Sequence, residues 1–195
     1  MTHELWKKHR PRTLSEVVGQ IQAIAVLSKM IERKEVPHAL LLVGPSGVGK
    51  NTIARILRNV IGCDRHEYYE INCARDGALE EIRSIPQRML AAPLSGKCRC
   101  WFLDEFQSLS RAGFAQQSLL DALEETPKHV WFFLATTDPS KIIRAIKTRC
   151  TLIQLEPIKS DVLVELMQGI AEKESIKVGP GVLDLIAQES GGSAR

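Results

Sequence analysis

A chain of 195 residues with 44% hydrophobic and 25% charged side chains has the make-up of a soluble globular protein with a proper core, enough for one large domain or one domain and part of another. The net charge of +3 is too small to point to nucleic acid by itself, and the basic run "KKHRPR" at 7–12 reads first as a solvated segment. Five cysteines, an odd number without a CxxC pair, support neither a disulfide framework nor a zinc site, and reduced thiols are expected.

In chain order, "QIQAIAVLSKMIERK" (20–34) puts Ile21, Ile24, Leu27 and Ile31 on one helical stripe. "HALLLV" (38–43) predicts a buried strand, and a glycine-rich loop follows it at once. "NTIARILRNVIG" (51–62) has helical spacing at Ile53, Ile56, Leu57 and Val60, with Gly62 as a stop. "EYYEINC" (67–73) predicts a strand and a helix follows from about Asp76; "CRCWFLD" (98–104) predicts a strand and "FAQQSLLDALEE" (114–125) a helix. "HVWFFLATT" (129–137) and "CTLIQLE" (150–156) are two further strands. Strands alternating with helices call for a mostly parallel sheet covered on both faces. After Pro157 the pattern changes: "SDVLVELMQGIAEKE" (160–174), with Ser160 and Asp161 as an N-cap, and "GVLDLIAQES" (181–190) are helical with no strand between or after them. The expected organisation is an α/β nucleotide-binding domain over 1–157 and a partial helical domain over 158–195 that is cut off at Arg195, the chain being a fragment of something longer. No charged-then-apolar leader opens the chain, and "ALLLV" and "WFFLA" are far too short to span a bilayer, so a soluble intracellular protein without a membrane partner is expected.

The stretch "GPSGVGKNT" (44–52) carries the chemistry. A glycine-rich string alone is weak evidence, but this one follows an apolar strand and opens an amphipathic helix, as a phosphate-binding loop requires. Gly44, Gly47 and Gly49, with Pro45, Ser46 and Val48 between them, let the backbone wrap so that N–H groups converge on phosphate oxygens. The helix N-terminus adds its positive dipole end, and Lys50 a point charge at the β and γ phosphates. Asp104 and Glu105 emerge together after four apolar residues, at the C-terminal end of a strand, where ligands of open α/β sheets gather. Asp104 would hold magnesium, directly or through its water shell, and Glu105 would polarise the water that attacks the γ-phosphate. The competing readings, an ion-free tight turn and a solvated acidic pair, lose weight because both features occur together.

"HRPRTLSEVVGQ" (9–20), the loop, "FLDEFQSLS", "FFLATTDPSKIIRAIKTRC" and the terminal "SGGSAR" stand in the order seen in sliding-clamp loader subunits, and over nearly its whole length the chain resembles these AAA+ ATPases of DNA replication, both the bacterial tau/gamma type and the replication factor C small subunits. The resemblance implies an ATPase with ATP and Mg2+ as cofactors, working in a pentameric ring with other loader subunits, a sliding clamp and primer–template DNA, in the cytoplasm or, in a eukaryote, the nucleus. It implies that Arg10, Pro11, Val17 and Val18 line the adenine pocket, and that Thr137 at the sensor-1 position orients the attacking water. It implies that Arg149 in "TRC" is the finger reaching a neighbouring subunit's ATP, and that Arg195 in "GGSAR" is the sensor-2 arginine aimed at the γ-phosphate. Arg83 and Arg111 match DNA-facing positions, although each alone would pass for a solvated helix residue. The zinc module that tau/gamma subunits insert after the loop helix has no counterpart after Cys63, so no zinc is expected, and the collar that assembles the pentamer would lie beyond residue 195.

One residue departs from the pattern. Where a hydroxyl should follow Lys50 to meet the metal, the chain has Asn51, and a hydroxyl appears only at Thr52. Successive helical side chains point about 100° apart, so Thr52 cannot simply take the vacant role. The amide oxygen of Asn51 can ligate a hard cation but sits one bond further out, and magnesium tolerates misplacement badly. The expectation is a nucleotide held chiefly by backbone N–H groups and Lys50, with magnesium held less well by Asn51 and Asp104. Two alternatives stay open: a scaffold subunit that binds nucleotide without cleaving it, and another AAA+ DNA motor such as a branch-migration helicase.

Overall fold

In a computed structural model that describes residues 4–111 and 115–195, the side chains of residues 110, 111 and 115 excepted, the five predicted strands are all present. They are β1 (Ala39–Val43), β2 (Tyr68–Asn72), β3 (Arg99–Asp104), β4 (Val130–Thr136) and β5 (Thr151–Gln154). All pair in parallel, in the order β2-β3-β4-β1-β5. Parallel strands bring every strand's C-terminal end to the same sheet edge, so the turns after β1, β3 and β4 share that edge.

Residues along β1, β3 and β4 alternate between two apolar layers. Leu41, Val43, Trp101, Leu103, Phe132 and Leu134 face one side. There they meet Ile82 and Ile85 of α4 (Ala78–Arg88), Leu119 and Leu123 of α5 (Ala115–Glu124), and Ile146 of α6 (Arg144–Arg149). Leu40, Leu42, Cys100, Phe102, Phe133 and Ala135 face the other, against Leu27 of α2 (Ile21–Glu32) and Ile53 and Leu57 of α3 (Lys50–Val60). Sealing both faces explains why these strands read as unbroken apolar runs instead of alternating ones. All five cysteines are free and buried, and burial pushes the thiols of Cys63, Cys73 and Cys150 up to about 12, where thiolate chemistry is suppressed.

The helices α7 (Ser160–Lys173) and α8 (Val182–Glu189) pack around a separate apolar cluster of Ile158, Leu163 and Ala187, to which Val18 also adds. Here one expectation is corrected. Lys159, with extended backbone, takes the N-cap of α7 and no side chain caps it; Ser160 and Asp161 already lie in the first turn. Asp161 spends its carboxylate on the N–H of Val162. A short α1 (Leu5–Lys8) precedes the sheet, and Lys8 and His9 both bond Glu174 just after α7. No helix among the described residues is long and apolar enough to cross a membrane.

At the opposite end of β3 from the turn that follows it, Arg99 and Glu67 form a buried ion pair, Nε to Oε2 at 2.6 Å. Burial pushes the Glu67 carboxyl up, but hydrogen bonds from Arg99 and the Leu94 N–H outweigh it and hold it below the usual carboxylate range. Glu67→Gln would leave the buried guanidinium uncompensated, and is expected to cost about 3 to 5 kcal/mol at pH 7 in a denaturant titration. Because the folded value is depressed, this stability is complete above the unfolded carboxyl's pKa and is lost as pH falls through the folded one. The gap between wild type and variant should therefore close with acidification; a gap that stays constant below about pH 4 speaks against the ion pair as its source.

Candidate functional site

The loop after β1 continues the ladder for one residue, Gly44 N–H donating to Thr136 O at 3.1 Å, before it turns away. A Cβ at Gly44 would stand 2.5 Å from Leu155 O, so only glycine fits between β1 and the segment leaving β5. Gly47 (φ +80°) and Gly49 (φ +108°) occupy the left-handed region that L side chains avoid, and Gly49 is the N-cap of α3. Val48 is buried and anchors the loop's centre. Gln20 fastens the same stretch from outside: its Nε2 donates to Glu156 O at 2.7 Å and Val48 O at 3.4 Å, and its Oε1 accepts from Glu156 N–H. The backbone N–H groups of Ser46, Gly47 and Gly49 find no backbone acceptor among the described residues, which leaves a set of donors beside the start of α3.

Lys50, only 7% exposed, curls back so that its Nζ donates to Gly44 O and Pro45 O, each at 2.7 Å. Burial lowers its pKa from the ordinary lysine value, and the charges of Asp104 and Glu105 oppose that shift. The lysine and the acid pair therefore share one field, although more than fifty positions separate them in the chain. Asp104 closes β3, and burial pushes its carboxyl up; the Glu105 N–H, bonded to its Oδ1 at 3.0 Å, and Lys50 pull the other way. Glu105 itself sits at φ +52°, a conformation that costs a non-glycine residue free energy and recurs where a side chain must be aimed.

Gln107, which no sequence motif singles out, ties the acid to the end of β4. Its Nε2 donates to Glu105 Oε2 and, at 2.8 Å, to Thr137 Oγ1, while its Oε1 accepts from Thr136 Oγ1 at 2.8 Å. The expected pair Glu105 and Thr137 is thus joined through one amide.

The remaining expected residues fall in several places. Arg10 and Pro11 line a groove of about 220 Å³ with Lys7, Arg12, Arg55 and Asn59. Val17 and Val18 do not line that groove; Val17 packs on the layer behind β1, and Val18 on the cluster under α7. Arg10 and Arg195 both stack on Trp6, at 4.9 and 5.2 Å from the ring centre, and the charge of Arg195 reaches Lys50. Burial, with Arg55 next, lowers the Arg10 pKa. Trp6 was missed because a tryptophan ahead of a basic run carries no periodicity; cation–π stacking is the signal that such a pair offers. Arg149 is not part of this group: on α6 it forms an ion pair with Glu124 and donates to Ala145 O. Arg83 is exposed on α4, and the side chain of Arg111 lies outside the described residues. Thr52 is half-buried in the first turn of α3. Beside it, Asn51 gives its amide N–H to Glu70 Oε1, and its Oδ1 is buried without a partner among the described residues. That orphaned oxygen and the half-buried Asp104 carboxylate are both hard donors of the type magnesium takes, so the residues present fit the ion.

The chain is similar to known proteins to differing extents. Residues 75–159 match the family described as "DNA polymerase III, delta subunit", and residues 17–99 the one described as "Sigma-54 interaction domain". The chain is 33% identical to the DNA polymerase III subunit gamma of Buchnera aphidicola over 99% of its length and 57% of that protein's. It is 32% identical to subunit tau of Escherichia coli over 98% of its length and 33% of that protein's, and 31% identical to subunit tau of Bacillus subtilis with 98% and 37% covered. The chain thus spans between a third and somewhat more than half of these relatives. Among solved structures, the Thermotoga maritima RuvB Holliday junction branch migration motor superposes with a TM-score of 0.73 at 23% identity, covering 95% of this chain and 61% of that one. A mutant form of the same motor gives a TM-score of 0.75, again at 23% identity, with 96% and 62% covered. The fold is that of the AAA+ P-loop ATPases.

Proposed function

We propose, from a chain whose homologues over nearly its whole length are gamma and tau subunits of DNA polymerase III, that it is an ATPase subunit of a sliding-clamp loader. The observation that carries the reading is the convergence of a buried Lys50, folded over a glycine loop with free N–H donors, on Asp104 and Glu105 at the same sheet edge. On this reading the N–H groups of residues 46–50 hold the triphosphate, and Lys50 exchanges its two carbonyl partners for β- and γ-phosphate oxygens. Asn51 and Asp104 would hold Mg2+, which when bound neutralises charge developing on the β and γ phosphates. Glu105, aimed through Gln107, accepts the proton of the attacking water, and Thr137 on the same amide fixes where that water sits. Arg195 closes on the γ-phosphate from Trp6, and Arg10 and Pro11 line the base side with Val17 and Val18 behind them.

Residues 1–157 form the nucleotide-binding domain in this reading, and residues 158–195 the beginning of its lid. Arg149 completes the site of a neighbouring subunit in a pentameric ring, and Arg83 and Arg111 face the phosphates of primer–template DNA, giving salt-dependent binding without sequence preference. The relatives are bacterial, which favours a cytoplasmic protein over a nuclear one. The likeness to RuvB is one of fold alone at 23% identity, and the helicase reading rests on nothing further.

The test is ATP turnover by the full-length protein with its co-subunits. Stimulation of several-fold or more by clamp and primed DNA together is the expected result. Stimulation by four-way junctions alone would move the protein to the helicases, and nucleotide binding without turnover would make it a scaffold.

A further inference from the structure

Asn51 stands where an AAA+ loop ordinarily presents a hydroxyl, and the two side chains differ in a way that has a structural consequence. A hydroxyl rotates to offer a lone pair wherever a cation sits. A carboxamide has two unlike ends: turned one way it offers a carbonyl oxygen, turned the other it offers two N–H donors, whose positive ends repel a cation. The substitution therefore requires something that chooses the end.

Glu70 does so. Its carboxylate only accepts, and its Oε1 takes the Asn51 amide N–H, so the nitrogen must face Glu70 and the oxygen must face away. That oxygen, Asn51 Oδ1, is buried with no hydrogen-bond partner among the described residues, an arrangement that disfavours the folded chain unless something else meets it. The second Glu70 oxygen is engaged by Arg55 Nη2 at 2.7 Å, which helps to hold the carboxylate in place. Its place is set by β2, where it lies opposite Phe102 of β3, two positions before the pair Asn72 and Asp104. The charge of Glu70 reaches Asp104 and Arg10 as well, so it stands beside the same site.

Resting on the nucleotide-binding reading above, we infer that Glu70 is a positioning residue that locks the Asn51 carboxamide with its oxygen presented to the divalent cation, replacing the missing hydroxyl. Partners behind a ligand typically change metal affinity by about 10- to 100-fold when removed. Glu70→Gln is the informative change, since glutamine can donate as well as accept and lets the Asn51 amide sit either way round.

The experiment titrates Mg2+ against binding of a fluorescent ATP analogue, and follows Mn2+ by electron paramagnetic resonance in the nucleotide-bound protein. Wild type, Glu70→Gln, Asn51→Thr and the double variant are compared. In EDTA, nucleotide affinity should agree within about twofold across all four, because the N–H groups and Lys50 carry it. Glu70→Gln is expected to raise the Mg2+ midpoint about 10-fold and to weaken Mn2+ binding in parallel, whereas in the Asn51→Thr background it should change neither. Equal shifts in both backgrounds would make Glu70 a distant charge instead of an orienting group and overturn the inference, as would no shift beside Asn51. Wild type that binds no nucleotide even in EDTA would remove the functional reading itself.

Discussion

Glu105→Gln is expected to lower ATP turnover in the assembled complex by about 10²- to 10⁴-fold, the range that a positioned general base contributes. The substitution keeps the shape of the side chain and its contact with Gln107, so it removes a proton acceptor without removing a strut. Glu105 is also held at φ +52°, and its N–H caps the Asp104 carboxylate, both backbone properties that glutamine preserves. Nucleotide affinity should therefore stay within about twofold, because the loop amides and Lys50 are untouched. Phosphate release and binding of a fluorescent analogue, measured on the same preparation, separate the two effects. A parallel fall in affinity and turnover would mean that Glu105 holds the loop together and does not act on water.

Arg149→Ala carries the second large effect, a loss of about 10³- to 10⁵-fold in turnover by the assembled complex, as for other arginines that reach transferring phosphates. Its partners within the chain explain why the effect should depend on assembly. In this chain Arg149 pairs with Glu124 and with the last turn of its own helix, and it is absent from the interactions of Lys50, Asp104 and Glu105. The isolated chain should bind nucleotide equally well with or without it. Arg149→Lys should recover little, since an ammonium lacks the planar fork that grips two oxygens at once. Full turnover by a complex whose loader subunits all carry Arg149→Ala would sink the assignment to a neighbouring site.

The sheet and the phosphate loop were legible because burial on both faces writes itself as unbroken apolar runs, and because Gly47 and Gly49 answer a backbone need that few other residues meet. Strand ends differ from the expected ones by only a residue or two, as hydrogen-bonded pairing stops before apolar character does. Short helices fared worse. α6 spans six residues and α1 four, too few for a periodic stripe to develop. The cap of α7 was misread because Ser160 and Asp161 have the chemistry of a cap while the turn begins one residue earlier. Gln107, Trp6 and Glu70 escaped notice for a different reason. Each acts through a partner brought close only by the fold: Gln107 with Thr137 across two strand ends, Trp6 with Arg195, and Glu70 with Asn51 from the neighbouring strand layer. Side chains that organise others leave no spacing in the chain.

The segment after α8 lies against the glycine loop with almost no clearance: Ala194 N–H donates to Gly47 O at 3.1 Å, and a methyl placed on Gly47 would collide with the side chain of Ser193. A few residues away, Ile158 N–H is bonded to Gly192 O, so this tail is strapped to the segment ahead of α7. If the loop takes a triphosphate as proposed, filling it and placing the helical pair are linked through this contact. The orientation of α7 and α8 is then expected to register whether the loop is filled before any bond is cleaved.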